Sequence, residues 1–102
     1  MNVIEITEDN FETEVNQSDK LVFADFYADW CGPCKMMMPI VEELSEEVED
    51  VKFVRINVDD NEEISRKFGV MSIPTFIVLE KGEEKNKKIG ATSKEDLLNM
   101  LK

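Results

Sequence analysis

Apolar and polar positions change period several times along this chain, and each change marks a boundary between elements. VIEI, residues 3–6, alternates apolar and acidic positions as a half-buried strand does. Thr7 is placed to cap a helix over EDNFETEV, in which Phe11 and Val15 share one face. LVFADFYA, residues 21–28, is almost continuously apolar, β-branched and aromatic. Such a run suits a strand covered on both faces, which puts it at the middle of a sheet. From Pro33 the spacing turns helical: Cys34, Met37, Val41, Leu44 and Val48 step by three and four along one stripe, with Glu42, Glu43, Glu46, Glu47 and Glu49 elsewhere.

The second half repeats the alternation. VKFVRINV reads as a strand, and DNEEISRKF as a short helix with Ile64 and Phe68 one turn apart and Gly69 placed to end it. TFIVLE is a strand closed by a turn at Lys81-Gly82, and EEKNKKIG is a polar edge strand. Ser93 with Asp96 starts a final helix, KEDLLNMLK, in the manner of a capping box. The predicted order is βαβαβαββα, an α/β class. No linker, repeat or low-complexity tract divides the chain, so residues 1–102 read as a single domain.

Composition narrows the partners. A chain of 102 residues that is 42% hydrophobic can bury one core without metals or several disulfides. The net charge of −11 disfavours nucleic acid and anionic membrane, and the acidity itself reads as a solvated surface. MNVIEITEDNF carries no basic region followed by an apolar one, and no window is long enough for a membrane span, so a cytoplasmic location is the expectation.

In such a reducing compartment the pair Cys31 and Cys34 is a poor candidate for a permanent staple. Pro33 belongs in a first helical turn, which leaves Cys31 at the helix N-terminus, where unpaired N–H groups and the macrodipole favour a thiolate. Cys31 is therefore the candidate nucleophile. Cys34, on the apolar stripe, is expected to be more buried and less ionised, the place for a resolving thiol. A zinc site needs about four ligands, and a chain with no histidine and no second cysteine pair offers no metal site of its own. Two inert core cysteines are the lesser reading, given their position at a helix start.

Asp25 interrupts the most apolar strand. Either it points to a loop or water at the strand end, or it is a buried acid of raised pKa that exchanges a proton with Cys34; Arg55 and Lys52 are both candidate partners. Pro74 lies just before TFIVLE, where an X-Pro bond is ordinarily trans. Met36, Met37 and Met38 could offer an adaptable apolar contact surface, but Met37 lies on the apolar stripe, so at most one or two of them are expected to be exposed, and core filling is the reading for the run as a whole.

A lone C-x-x-C is a weak signal. Taken in order and at their distances, however, Asp25, ADWCGPCK, RINVDDN, GVMSIPTF and KIGATSKEDL resemble the thioredoxin family across essentially the whole chain. The resemblance implies a central mixed five-stranded sheet flanked by four helices, Cys31 as attacking thiol, Cys34 as resolving thiol and Asp25 as the buried carboxylate. It also implies a cis Ile73-Pro74 bond facing the dithiol and a docking surface rimmed by Trp30, Gly32, Pro33, Ile73, Pro74 and Gly90. This chain departs from the family pattern at Tyr27, where many members have a second tryptophan, at Met37 and Met38, and in the polarity of EEKNKKIG.

The function expected is thiol-disulfide exchange that reduces protein disulfides through a mixed disulfide. Gly32 and Pro33 bring no charge to the dithiol, whereas histidine there would stabilise the thiolate and make a stronger oxidant. The rivals are a disulfide oxidase or isomerase of the same fold and a non-catalytic binding subunit. The resemblance further implies disulfide-containing protein partners, a flavin reductase drawing on NADPH or ferredoxin, a monomer, and no bound cofactor beyond the dithiol.

Overall fold

In a computed structural model that describes residues 2–102, nine elements follow one another in the predicted order. Strands β1 (Val3–Ile6), β2 (Leu21–Tyr27), β3 (Val51–Asn57), β4 (Thr75–Glu80) and β5 (Glu83–Ile89) form one sheet of order β1-β3-β2-β4-β5. β2 runs parallel to β3 and antiparallel to β4, so the sheet is mixed, and the most apolar strand lies at its centre. Parallel pairing between β2 and β3 requires a crossover, and α1 (Gly32–Glu47) supplies it.

Alternation along the strands divides the core into two layers. On one face Phe23, Phe53, Phe76 and Val78 pack under Met37, Val41 and Leu44 of α1 and Leu97 and Met100 of α3 (Lys94–Met100). On the other, Val22, Ala24, Phe26, Val54, Ile56, Ile77 and Leu79 meet Phe11, Val15, Ile64 and Phe68. Burying each such large side chain contributes about 1.5–3 kcal/mol, so both layers are strong contributors to stability. Asp25 belongs, by its register, to the α1 layer.

The helical segments differ in kind. Before β2, Glu12–Asn16 forms a π-helical turn rather than the α-helix expected over EDNFETEV, with Gln17 N–H donating to the Glu12 carbonyl at 3.1 Å. The Phe11 and Val15 spacing holds both side chains in the core whichever helix carries them. Thr7 caps this segment only at its entry, its hydroxyl accepting from the Asp9 N–H at 3.2 Å. In α1 the apolar stripe runs as predicted to Leu44, but Val48 is extended and ends the helix. Pro39 lies inside α1, where it removes one intrahelical donor. α2 (Glu62–Lys67) ends with Gly69 at φ 65. Ser93 caps α3 by accepting from the Asp96 N–H at 3.1 Å.

β4 and β5 are joined by Lys81 and Gly82, both at positive φ, the conformation a tight hairpin demands. β5 lies at the sheet edge, as its polarity predicts.

Candidate active site

β2 delivers the chain to a short connection, Ala28-Asp29-Trp30, and α1 then begins at the cysteines. Cys31 is the N-cap, with an extended backbone, and its Sγ accepts the Cys34 N–H at 3.2 Å. Its carbonyl takes the Lys35 N–H at 3.1 Å, and its own N–H donates to Ala28 at 3.2 Å, so the turn is fixed on both sides. Pro33 occupies the first helical turn, where its missing N–H costs nothing. Cys31 and Cys34 form a disulfide across a Cα separation of 5.2 Å.

The two cysteines are equally covered, each 3% exposed, which corrects the expectation that Cys34 is the more buried. The disulfide folds the Cys31 sulfur back over the first turn, and Val58 and Ile73 pack against the pair together with Tyr27 and Ala28. Gly32 and Pro33 are both exposed beside it.

Three further segments reach this end of the sheet. Ile73 is half-buried against the cysteines, and the Ile73-Pro74 bond is cis, against the ordinary trans preference and as the resemblance implied. The Pro74 carbonyl accepts the Gly90 N–H at 2.8 Å, tying the start of β4 to the end of β5. Gly90 has φ 94, a conformation for which the absence of a Cβ is required. Trp30 is 71% exposed, and its indole N–H donates to Asp59 Oδ2 at 2.8 Å. Met36 is 75% exposed, so the methionine run is not core filling throughout; Met37 alone of the three is buried, and Met38 is half-buried.

Asp25 is buried, not turned to water at the strand end. Neither carboxylate oxygen has a hydrogen-bond partner among the described residues. Loss of hydration on burial raises its pKa to about 7; the nearby Arg55 charge lowers it and Glu5 raises it further. Neither predicted partner bonds to it. Lys52 lies on the opposite face of the sheet, bound to the Glu14 carbonyl and carboxylate at 3.0 and 3.1 Å. Arg55 stands directly across from Asp25, but its Nε is 3.2 Å from Glu5 Oε1, close enough for an ion pair without the alignment of a hydrogen bond.

A recess of about 140 Å³ opens beside Cys34, bounded by Tyr27, Asp29, Lys35, Met38 and Arg55. Asp59 as the partner of Trp30, Glu5 as the partner of Arg55, and Arg55 as a wall of the recess were not legible in the sequence, because each comes to the site through strand register or loop closure. No group of three or more metal-ligating side chains converges among the described residues, and no helix among them is long and apolar enough to cross a membrane.

The thioredoxin family model matches residues 2–102. This chain belongs to the thioredoxin family. It is 45% identical to the thioredoxin of Bacillus subtilis (strain 168) over 102 residues, covering 99% of this chain and 96% of that protein. The thioredoxin of Rickettsia prowazekii (strain Madrid E) is 43% identical over 97 residues, covering 94% and 92%. That of Pyropia yezoensis is 42% identical over 102 residues, covering 99% and 95%. With its C-x-x-C pair joined at a helix start, this thioredoxin-family chain is a thiol-disulfide oxidoreductase, a protein-disulfide reductase whose redox-active group is the Cys31–Cys34 disulfide.

Proposed function

We propose that Cys31 is the attacking thiol, Cys34 the resolving thiol and Asp25 the group that exchanges a proton with Cys34. The observation that supports this assignment is the pairing of a dithiol at a helix N-terminus with a buried, unpartnered carboxylate in the sheet beneath the same helix. In the reduced protein the Cys31 thiolate attacks one sulfur of a substrate disulfide, and the other substrate sulfur leaves as a thiolate and takes a proton. Cys34 then loses its proton to the Asp25 carboxylate and attacks Cys31 Sγ. The Cys31–Cys34 bond forms, the mixed disulfide breaks, and the second substrate thiol departs. Two electrons pass from the dithiol to the substrate, and a reductase must return them.

A carboxyl group titrating near 7 is suited to this exchange, because a general base works best when its pKa lies close to the operating pH. Gly32 and Pro33 set the redox balance by keeping charge away from the sulfurs. Trp30, Ile73, Pro74 and Gly90 form the docking rim for an extended substrate segment, with Trp30 exposed, Ile73 and Gly90 half-buried and Pro74 buried beneath them. The partners are disulfide-containing proteins and a flavin reductase fed by NADPH or ferredoxin; the chain works as a cytoplasmic monomer and needs no bound cofactor.

The test is Cys34→Ser. Incubated with a disulfide-containing protein, it is expected to accumulate a covalent adduct on Cys31 that thiols release. Trapping by Cys31→Ser in its place would reverse the assignment.

A further inference from the structure

A single cross-strand row carries three charged side chains over one end of the sheet. Glu5 of β1 is in register with Arg55 of β3, and Arg55 with Asp25 of β2. A guanidinium thus stands between two carboxylates, one 49% exposed and the other buried. Its side chain has settled on the outer one. Arg55 Nε lies 3.2 Å from Glu5 Oε1, the Tyr27 hydroxyl donates to Glu5 Oε2 at 2.8 Å, and Arg55 Cζ sits 4.0 Å from the centre of the Tyr27 ring. Asp25 receives no hydrogen bond from it.

We propose that Glu5 is a positioning residue for Asp25: with Tyr27 it holds the Arg55 guanidinium toward the outer edge of the sheet and leaves the buried acid without a salt bridge. This rests on the reading of Asp25 as the proton-exchanging group. An arginine bonded directly to a carboxylate favours the ionised form strongly, and a carboxylate so held is a weak base near neutral pH. In this chain the exposed glutamate competes for the same cation, and the stacked tyrosine fixes the cation's plane. Arg55 also lines the recess beside Cys34, so its position sets the field at both thiol and acid.

The other groups around Asp25 do not substitute for this arrangement. Tyr27 is held protonated, its pKa pushed up to about 12 by burial and by Glu5. From α1 and the loop before it, Cys34, Lys35 and Asp29 face the recess. β4 places Phe76 opposite Asp25, and Lys88 of β5 follows Phe76 at the exposed edge.

The experiment is carbonyl-carbon NMR titration of Asp25 in the reduced full-length wild type, Glu5→Gln and Tyr27→Phe. Glu5→Gln is expected to move the Asp25 midpoint down by about one pH unit, with Tyr27→Phe moving it the same way by less. Because the Glu5 charge by itself raises the Asp25 pKa, the lowered midpoint must appear in Tyr27→Phe as well, which removes the hydroxyl contact and no charge; an unchanged or raised midpoint in either variant overturns the proposal, even if thermal stability changes. The pH profile of substrate release from the mixed disulfide separates the two readings. A lowered Asp25 midpoint with an unshifted release profile supports the role of Glu5 and overturns that of Asp25; a fixed midpoint overturns the role of Glu5, whatever Asp25→Asn does to release.

Discussion

The backbone N–H of Cys34 donates to the sulfur of Cys31 across 3.2 Å, so the helix that presents the dithiol is capped by one of its own reactive atoms. A cap of this kind satisfies one of the orphan donors at a helix start, and removing an N-cap acceptor costs about 0.5–2 kcal/mol. In the reduced protein, Cys31→Ser is expected to keep most of that stability, since a hydroxyl is a good N-cap, while Cys31→Ala loses about 1 kcal/mol. Urea denaturation of the three reduced proteins at equal pH measures the difference.

Burial of Asp25 makes a linked prediction about pH. Its folded pKa, about 7, exceeds the ordinary value of 3.8, so the folded state holds a proton that the unfolded chain releases. Stability from this group is fully present below pH 3.8 and is lost as pH rises through 7. The whole effect is on the order of 4 kcal/mol, from three pKa units at about 1.4 kcal/mol each. Asp25→Asn, which keeps the shape and cannot ionise, is expected to be more stable than wild type by roughly 2 kcal/mol at pH 8, after the cost of its own unpartnered amide. Near pH 4, where the buried Asp25 is protonated in the fold and only the amide cost remains, Asp25→Asn is expected to be the less stable of the two by roughly 2 kcal/mol. Equal stabilities at pH 8 would contradict the buried, uncompensated carboxylate.

Gly82 is constrained twice. It has φ 85, and a Cβ there would meet Asn16 Oδ1 at 2.1 Å, so the hairpin turn and the π-helical segment press on each other. Gly82→Ala is expected to cost about 1–3 kcal/mol. Adding Asn16→Ala should recover only part of this, because it relieves the contact and not the backbone strain. A double-mutant cycle by chemical denaturation reads both contributions.

Phe23 lies between Phe53 and Phe76, with ring centres 5.1 and 5.7 Å away, and it is fully buried. Phe23→Ala should therefore cost about 3–5 kcal/mol, the range for a large aromatic removed from a core. Phe23→Leu should cost much less, because volume is largely kept. Thermal denaturation distinguishes them.

The strands and the order of elements were legible because burial leaves a period in the sequence. LVFADFYA is apolar on both faces since β2 is the sheet's central strand, and EEKNKKI is polar since β5 is at an edge. The dithiol was legible because Pro33 and the stripe from Cys34 to Leu44 locate a helix start. The π-helical turn was not, because an i, i+4 pair such as Phe11 and Val15 fits either helix. Equal coverage of the cysteines was not legible, because position on a helix fixes where each side chain starts, whereas the disulfide draws both sulfurs to the same depth. The choice between Lys52 and Arg55 needed register: three residues apart on a strand, they must face opposite ways, but only the pairing of Asp25 with Arg55 says which one shares the acid's face.

Strand β5 carries Glu83, Glu84, Lys85, Lys87 and Lys88, and its register with β4 slips between Val78 and Leu79, a bulge that twists the ladder. An outermost strand so charged and so bent makes a poor template for another chain's backbone. Crowding many copies of this protein together therefore leaves that border wet, since stripping water from its charged side chains and straightening its bend both oppose growth of one sheet into the next.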